Sequence, residues 1–288
     1  MSSVLFDIPG PRAARRHRLI AGATVLGLLV LAALVAWKLW TEEQFTADKW
    51  EPFVTPKIVE LMLSGLWDTV RAAILAVLLA IGVGLLFGAG KLSDHVFVRA
   101  PAWIFVEFFR AVPLLMVIIA LFGIYGRDLT PFWCLVIGLT LYNGAVLAEV
   151  FRAGVNAVPR GQAEAAYAIG MRKTQVMTIV LLPQAIKIMI PAIISQCVVV
   201  LKDTSLGFYI LAPGLTTAGR EVWNTFNNKF ATALVLAATY IVLNSILSWL
   251  ATKAQRRLTG DHARVAVLAG QMDQSVTGGG GAGHGGNG

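Results

Sequence analysis

Ionisable and amide side chains set inside apolar runs are where this sequence concentrates its chemistry. The stretch "YNGAVLAEVFRAG" carries Asn143 and Glu149, with Arg152 three residues after the glutamate. "FVEFFRAVPLL" repeats that spacing with Glu107 and Arg110. An acid and a base at i, i+3 share one helix face and can pair, and long basic stems at the end of an apolar run reach back to the interface. "VVVLKDTSLGF" is different, because Lys202, Asp203, Thr204 and Ser205 follow one another directly and Gly207 comes next. Ionisable groups in such surroundings are costly and tend to mark solute paths. A helix interrupted there offers backbone and hydroxyl groups to a polar solute. Asn143, Lys202, Asp203, Thr204 and Ser205 are therefore the expected solute-path residues. A base such as Lys202 suits a carboxylate.

Covalent chemistry is not indicated. The four histidines, His17, His95, His262 and His284, show no HExxH spacing, and no GxSxG elbow occurs. "GLLFGAGK", Gly84 to Lys91, falls short of a phosphate-binding loop. Counting back from Gly90-Lys91 puts Leu85 where the first glycine belongs, and Leu92 stands where Ser or Thr is needed. The chain is expected to hydrolyse no ATP. Cys134 and Cys197 form no CxxC pair and have no nearby histidine, so neither zinc nor a disulfide framework is indicated. No catalytic residue, no metal site and no cofactor of its own are expected.

The elements that must position these residues are membrane spans. Hydrophobic residues make up 57% of the 288 and charged ones only 14%, against about 25% charged in an ordinary soluble domain. Mean hydropathy is +0.70. Runs of about 20 apolar residues span a bilayer, and six are expected: Leu19–Leu39, Thr69–Ala89, Trp103–Tyr125, Phe132–Phe151, Ala185–Leu211 and Ala231–Ala251. The fold class is thus all-α, a polytopic membrane helical bundle of about six transmembrane helices.

Basic residues set the orientation. Arg12, Arg15, Arg16 and Arg18 precede the first span, and Lys253, Arg256 and Arg257 follow the last. Lys91 and Arg99 lie between the second and third, and Arg152, Arg160, Arg172, Lys173 and Lys187 lie around the fourth connection. The first outer connection is acidic, with Glu42, Glu43, Asp48, Glu51 and Glu60. Both termini are therefore expected in the cytoplasm. Membrane topology accounts for the net charge of +8, and no nucleic-acid partner is expected. The first run exceeds the usual 7–15-residue core of a signal peptide and ends at Trp37-Lys38-Leu39-Trp40, so it is read as a retained helix. The expected organisation is a basic cytoplasmic tail at 1–18, a first helix and outer connection at 19–60, a core bundle at 61–252, and a cytoplasmic tail at 253–288 that ends in a Gly-rich segment. Gly84 and Gly88, with Gly82 close by, form a small-xxx-small pattern that lets helices approach closely.

One connection is too polar to span and too helix-prone to be an idle loop. In "GQAEAAYAIGMRKTQVMTIVLLPQ", Gly161 to Gln184, the Glu164-Ala165-Ala166 stretch favours helix. Gly170 permits a turn. A second helical stretch starts at Arg172 and is expected to end at Leu182-Pro183, because a residue before proline avoids helical geometry. The result is two short helices on the cytoplasmic face, with an exposed charge and small side chains for a docking body.

The spaced pattern E-A-A, three residues, Gly170, nine residues, Val180-Leu181-Leu182-Pro183 resembles the EAA motif of ABC-importer permease subunits, with Val180 in place of isoleucine. "FVEFFRAVPLL", "GLTLYNGAVLAEVFRAGVNAVPRGQAEAA", "LLPQAIKIMIPAI" and "VLKDTSL" are similar to the polar amino acid branch of that family, over about Leu61 to Ala251. "MSSVLFDIPGPRAARR" and the first span resemble actinobacterial glutamate permeases. The resemblance implies a MetI-like ABC transmembrane type-1 fold in the bacterial plasma membrane, with the EAA loop at 156–183. It implies a second, related permease subunit, two cytoplasmic ABC ATPases that bind ATP and Mg, and an extracytoplasmic amino-acid-binding protein. It assigns ATPase coupling to Glu164, Ala165, Ala166 and Gly170. An ion-coupled secondary transporter, using Asp203, Glu149 or Glu107, is the alternative.

Overall fold

The computed structural model describes residues 11–259; the extreme N-terminus and the Gly-rich tail of the sequence lie outside them. Every regular element among the described residues is helical. A long α1 (Pro11–Thr41) is followed by the one-turn α2 (Ala47–Trp50), a 3-10 turn, and α3 (Pro56–Lys91). Then come α4 (Val96–Ala111), α5 (Leu114–Tyr125), α6 (Pro131–Asn156), α7 (Arg160–Ala168) and the short α8 (Lys173–Gln175). The described residues end with α9 (Leu182–Asp203), α10 (Leu215–Phe226) and α11 (Lys229–Thr259). Among the described residues five helical stretches are long and apolar enough to cross a membrane, and α4 with α5 makes up to six.

The centre of the molecule is the pairing of α3 with α6, two apolar helices brought together by small residues. A β-carbon built on Gly84 would stand 2.7 Å from Leu147 Cβ, and one on Gly144 would stand 2.6 Å from Val83 Cγ1. Gly88 meets the Ala148 carbonyl in the same way, while Gly82 faces open space. Two of the three glycines noted in the sequence thus make the seam, as the close-packing rule for membrane helices requires. Packed clusters extend the seam at both ends. Towards the outer side, Ala72, Ala76, Ile118, Leu135, Leu139 and Val200 pack together. Towards the basic side, Ala80, Leu147, Phe151, Val155 and Met189 do so.

The third span departs from expectation. Trp103–Tyr125 is not one helix: α4 and α5 meet at an angle of 102°. Pro113 has no N–H to give to a helix, and its ring disfavours helical geometry at the residue before it. Val112 accordingly adopts φ −82, ψ 131. The α4 helix stays by the basic end of α3, where Phe105 stacks on Phe87 at 3.7 Å between centroids. The α5 helix packs Ile118 against Gly138 of α6.

A second departure concerns Pro183. The helix does not stop there, because residues Val176–Leu181 form a π-helical segment that leads directly into α9. The wider turn bonds one residue further back, so it absorbs the N–H that Pro183 lacks and eases its ring past the preceding turn. At its other end α9 stops at Asp203, short of the expected Leu211, and gives way to 3-10 turns over Thr204–Ile210. Leu211 has φ 56, and the chain turns into α10. The first amide of α10, Leu215 N–H, donates to Thr69 Oγ1 of α3 at 2.9 Å.

The α1 helix stands apart: its apolar window has no buried residue. Only the segment after it touches the bundle. Phe45 meets Phe230 edge to face, Lys49 Nζ donates to the Asn227 carbonyl at 3.0 Å, and Asn228 Nδ2 donates to the Lys49 carbonyl at 2.9 Å.

Candidate functional site: a docking segment and a polar hinge on one helical rod

On the basic side, α7 carries Glu164, Ala165 and Ala166, three of the four residues expected to meet an ATPase. Ala166 is buried, 5% exposed, and anchors the helix. Glu164 and Ala165 face outward beside Tyr167 and Ile169, the last 79% exposed. Of the adjacent alanines, one therefore holds the element and the other is free to be touched. Gly170 carries φ +82, and its N–H donates to the Tyr167 carbonyl at 2.9 Å, closing the turn. A β-carbon there would meet nothing within 4 Å, so conformation rather than crowding selects glycine. The chain then enters α8, where the Arg172 amide donates to the Gln175 side chain at 2.9 Å.

Ion pairs tie this segment to the bundle. Lys173 Nζ donates to Asp94, in the α3–α4 connection. That hydrogen bond and charge hold the exposed Asp94 carboxyl below the usual carboxylate range. Deeper in, Lys91 at the end of α3 has a side chain only 6% exposed. Its Nζ donates to Glu107 of α4 at 3.2 Å and to Glu149 of α6 at 2.9 Å. Glu149 also accepts from Arg152, whose Nε–H is shared between both carboxylate oxygens at 3.0 Å and whose Nη2 donates to Oε1. The i, i+3 pairs read from the sequence thus exist, and one lysine joins both. Glu107 and Glu149 are both engaged by cations, which leaves Asp203 as the one carboxylate of the ion-coupled alternative without an ion pair among the described residues. Lys91 was read as a topology signal and as the lysine of a failed phosphate-loop match, not as an ion-pair centre; its position at the end of a Gly-rich seam is what buries it.

At the far end of the same rod, the polar run is divided. Thr204 is buried, and its hydroxyl donates to the Leu201 carbonyl at 2.7 Å. Lys202 and Ser205 line one groove, between α9, α10 and α11, with Thr216, Tyr240, Asn244 and Ser245. Asp203 lines another, between α5, α6 and α9, with Tyr142 and Gln196. Adjacent residues on a helix point about 100° apart, so Lys202 and Asp203 serve opposite sides of α9. Asn143 is fully buried. It donates to the Leu139 carbonyl at 2.8 Å and accepts from Gln196 Nε2 at 2.5 Å, so it reaches the Asp203 groove only through Gln196. Gln196, Tyr240 and Asn244 were not singled out from the sequence. Each is a polar residue within an apolar run, the signal already applied to Asn143. Among the described residues no cluster of His, Cys, Asp or Glu is arranged to hold a metal.

This arrangement has relatives. Residues 80–260 match the family described as binding-protein-dependent transport system inner membrane component. The glutamate transport system permease protein GluD of Corynebacterium glutamicum is 37% identical over 243 residues, 81% of this chain and 89% of that one. The histidine/lysine/arginine/ornithine permease HisM of Salmonella typhimurium is 28% identical over 67% of this chain and 86% of its own length. The crystal structure of an amino acid ABC transporter with histidines superposes with a TM-score of 0.66 at 30% identity, over 70% of this chain and 95% of that one. The methionine transporter MetNI, at 17% identity and a TM-score of 0.63, shares the fold. The chain belongs to the family of binding-protein-dependent inner-membrane transport components, and is a non-enzymatic, multi-pass permease subunit of an ABC transporter.

Proposed function

We propose that this permease imports polar amino acids, glutamate foremost, and that its two ends are linked by one helix. The observation that carries the proposal is the continuous helical path from α8 through the π-helical segment into α9. It joins the exposed Glu164–Gly170 docking segment to the Lys202–Ser205 hinge. Glu164, Ala165 and Gly170 meet the ATPase, and Ala166 fixes α7 to the bundle. Asn143, Lys202, Asp203, Thr204 and Ser205 shape the solute path, with Thr204 and Asn143 acting as buried supports. Residues 61–252 make up the permease core, preceded by the first helix and its outer connection. The name of the Corynebacterium relative and the presence of Lys202 support glutamate as cargo.

The assembly contains a second, related permease chain, two cytoplasmic ABC ATPases that carry ATP and Mg, and an extracytoplasmic amino-acid-binding protein. Closure of the ATPases pushes α7 and α8, and the rod passes that motion to the hinge.

The test is uptake of labelled L-glutamate into vesicles that contain the assembled transporter and its binding protein. Uptake that requires ATP on the ATPase side is expected. Uptake driven by a proton gradient without ATP would replace this reading with a secondary transporter. Mass spectrometry of the purified complex tests the pairing: a second permease mass is expected, and a single permease mass would overturn it.

A further inference from the structure

The groove beside α11 has a volume of about 550 Å³ and is lined by Lys202, Ser205, Thr216, Tyr240, Asn244 and Ser245, among apolar side chains. That size suits a small solute. Among the described residues Lys202 is the only charged one in its lining, and no carboxylate lies within 4 Å of its Nζ. Two further atoms are unusual. Asn244 Nδ2 donates to the Tyr240 carbonyl at 2.7 Å, which leaves Oδ1 as a buried acceptor with no donor. The Tyr240 hydroxyl is also buried and makes no hydrogen bond of normal geometry, although the Thr69, Thr204 and Thr216 hydroxyls stand beside it. The Thr204 and Thr216 hydroxyls nearby are already committed to the Leu201 and Ser205 carbonyls. Buried polar atoms nearly always have partners, so an orphan acceptor and a loosely held hydroxyl beside one unpaired cation point to a missing ligand with matching groups.

That ligand must offer an anion to Lys202 and a donor to Asn244 Oδ1. The opposite groove, which holds Asp203, is wrong for an anion. Building on the amino-acid reading above, we propose that the α11 groove holds the zwitterionic end of the transported amino acid. Lys202 Nζ and the Tyr240 hydroxyl bind its α-carboxylate, and Asn244 Oδ1 accepts from its α-ammonium. With one cation and no acid in the lining, the groove favours acidic over basic side chains.

The test is binding to the permease–ATPase complex in nanodiscs without the binding protein, using L-glutamate, glutarate (which lacks the ammonium) and L-arginine. Lys202→Met is expected to weaken L-glutamate and glutarate at least about tenfold, and Lys202→Arg to retain both within a few-fold. Asn244→Leu is expected to weaken L-glutamate by a similar factor and leave glutarate unchanged, a split that misfolding would not produce. L-arginine is expected to bind at least about tenfold more weakly than L-glutamate to the wild type. If Lys202→Met and Asn244→Leu bind L-glutamate like wild type while Asp203→Asn or Gln196→Leu lose it, the solute lies in the other groove. The proposal then fails and the amino-acid reading stands. If the wild type takes up no amino acid with ATP and its binding protein, both fail.

Discussion

Glu164, Gly170 and Lys91 fail in different ways when replaced, and the differences follow from their surroundings. Glu164 is exposed and makes no contact that its own chain needs. Glu164→Lys should leave insertion and thermal stability unchanged and reduce ATP-dependent uptake more than tenfold, measured in the same membranes. Gly170 has room for a side chain but sits at positive φ. Gly170→Asn should therefore cost less than about 1 kcal/mol, since asparagine tolerates that geometry. Gly170→Val should cost about 1–2 kcal/mol and disturb the turn, so uptake should fall in that order. Equal loss from both would mean that bulk against the ATPase, and not the backbone, is what matters. Lys91 is buried between two acids. Lys91→Met should destabilise the chain by about 2 kcal/mol, less than the roughly 3–5 kcal/mol of a wholly buried pair, because Glu149 keeps Arg152. A thermal melt in detergent checks this. Asn143, Glu149 and Lys202 were visible in the sequence because a polar residue in an apolar run is conspicuous. Gln196 as the partner of Asn143, and Lys91 as the second partner of Glu149, were not, since which residues turn inward depends on how α3, α4, α6 and α9 cross.

The helices show a similar split. Existence and number of spans follow from hydropathy alone, and the α3–α6 seam follows from Gly84 and Gly88. Gly84→Leu should drive α3 away from Leu147 and Phe151. Over-packing of this kind costs about 1–3 kcal/mol, and the melting temperature should fall accordingly, while Gly82→Leu, which faces open space, should leave it unchanged. The two proline positions were misjudged in opposite directions. Pro113 breaks a run expected to be continuous, and Pro183 is passed by a helix expected to end. Local rules say that proline disturbs a helix. They do not say whether neighbours will support the disturbance, and at Pro183 the π-helical turn does so. The early end of α9 at Asp203 belongs with these, since the 3-10 turns are held by buried contacts of Thr204, Gly207 and Ile210 that no local pattern announces.

For the molecule as a whole, α1 and the rest are nearly independent bodies joined at the outer edge by Phe45, Lys49 and Asn228. A nitroxide label at Leu26 of α1 should report the mobility of a lipid-facing site in the isolated subunit, whereas one at Ile118 should be immobile. Immobilisation at Leu26 on adding the second permease chain would mark α1 as an assembly surface, and a rigid label in the isolated chain would contradict the fold described above.

The π-helical segment Val176–Leu181 also makes the rod more than a spacer. At about 1.5 Å per residue, the path from Lys173 to Asp203 is on the order of 45 Å long. Its near end is salt-bridged to Asp94, and its far end sits between two grooves of opposite polarity. A π turn holds one more residue than an α turn. Tightening it to α geometry would turn the far end by about 100° relative to the near end, the angle that separates Lys202 from Asp203. Such a tightening would exchange which of the two grooves Lys202 and Asp203 face, so the charge each groove presents depends on the geometry of six residues near the other end of the helix.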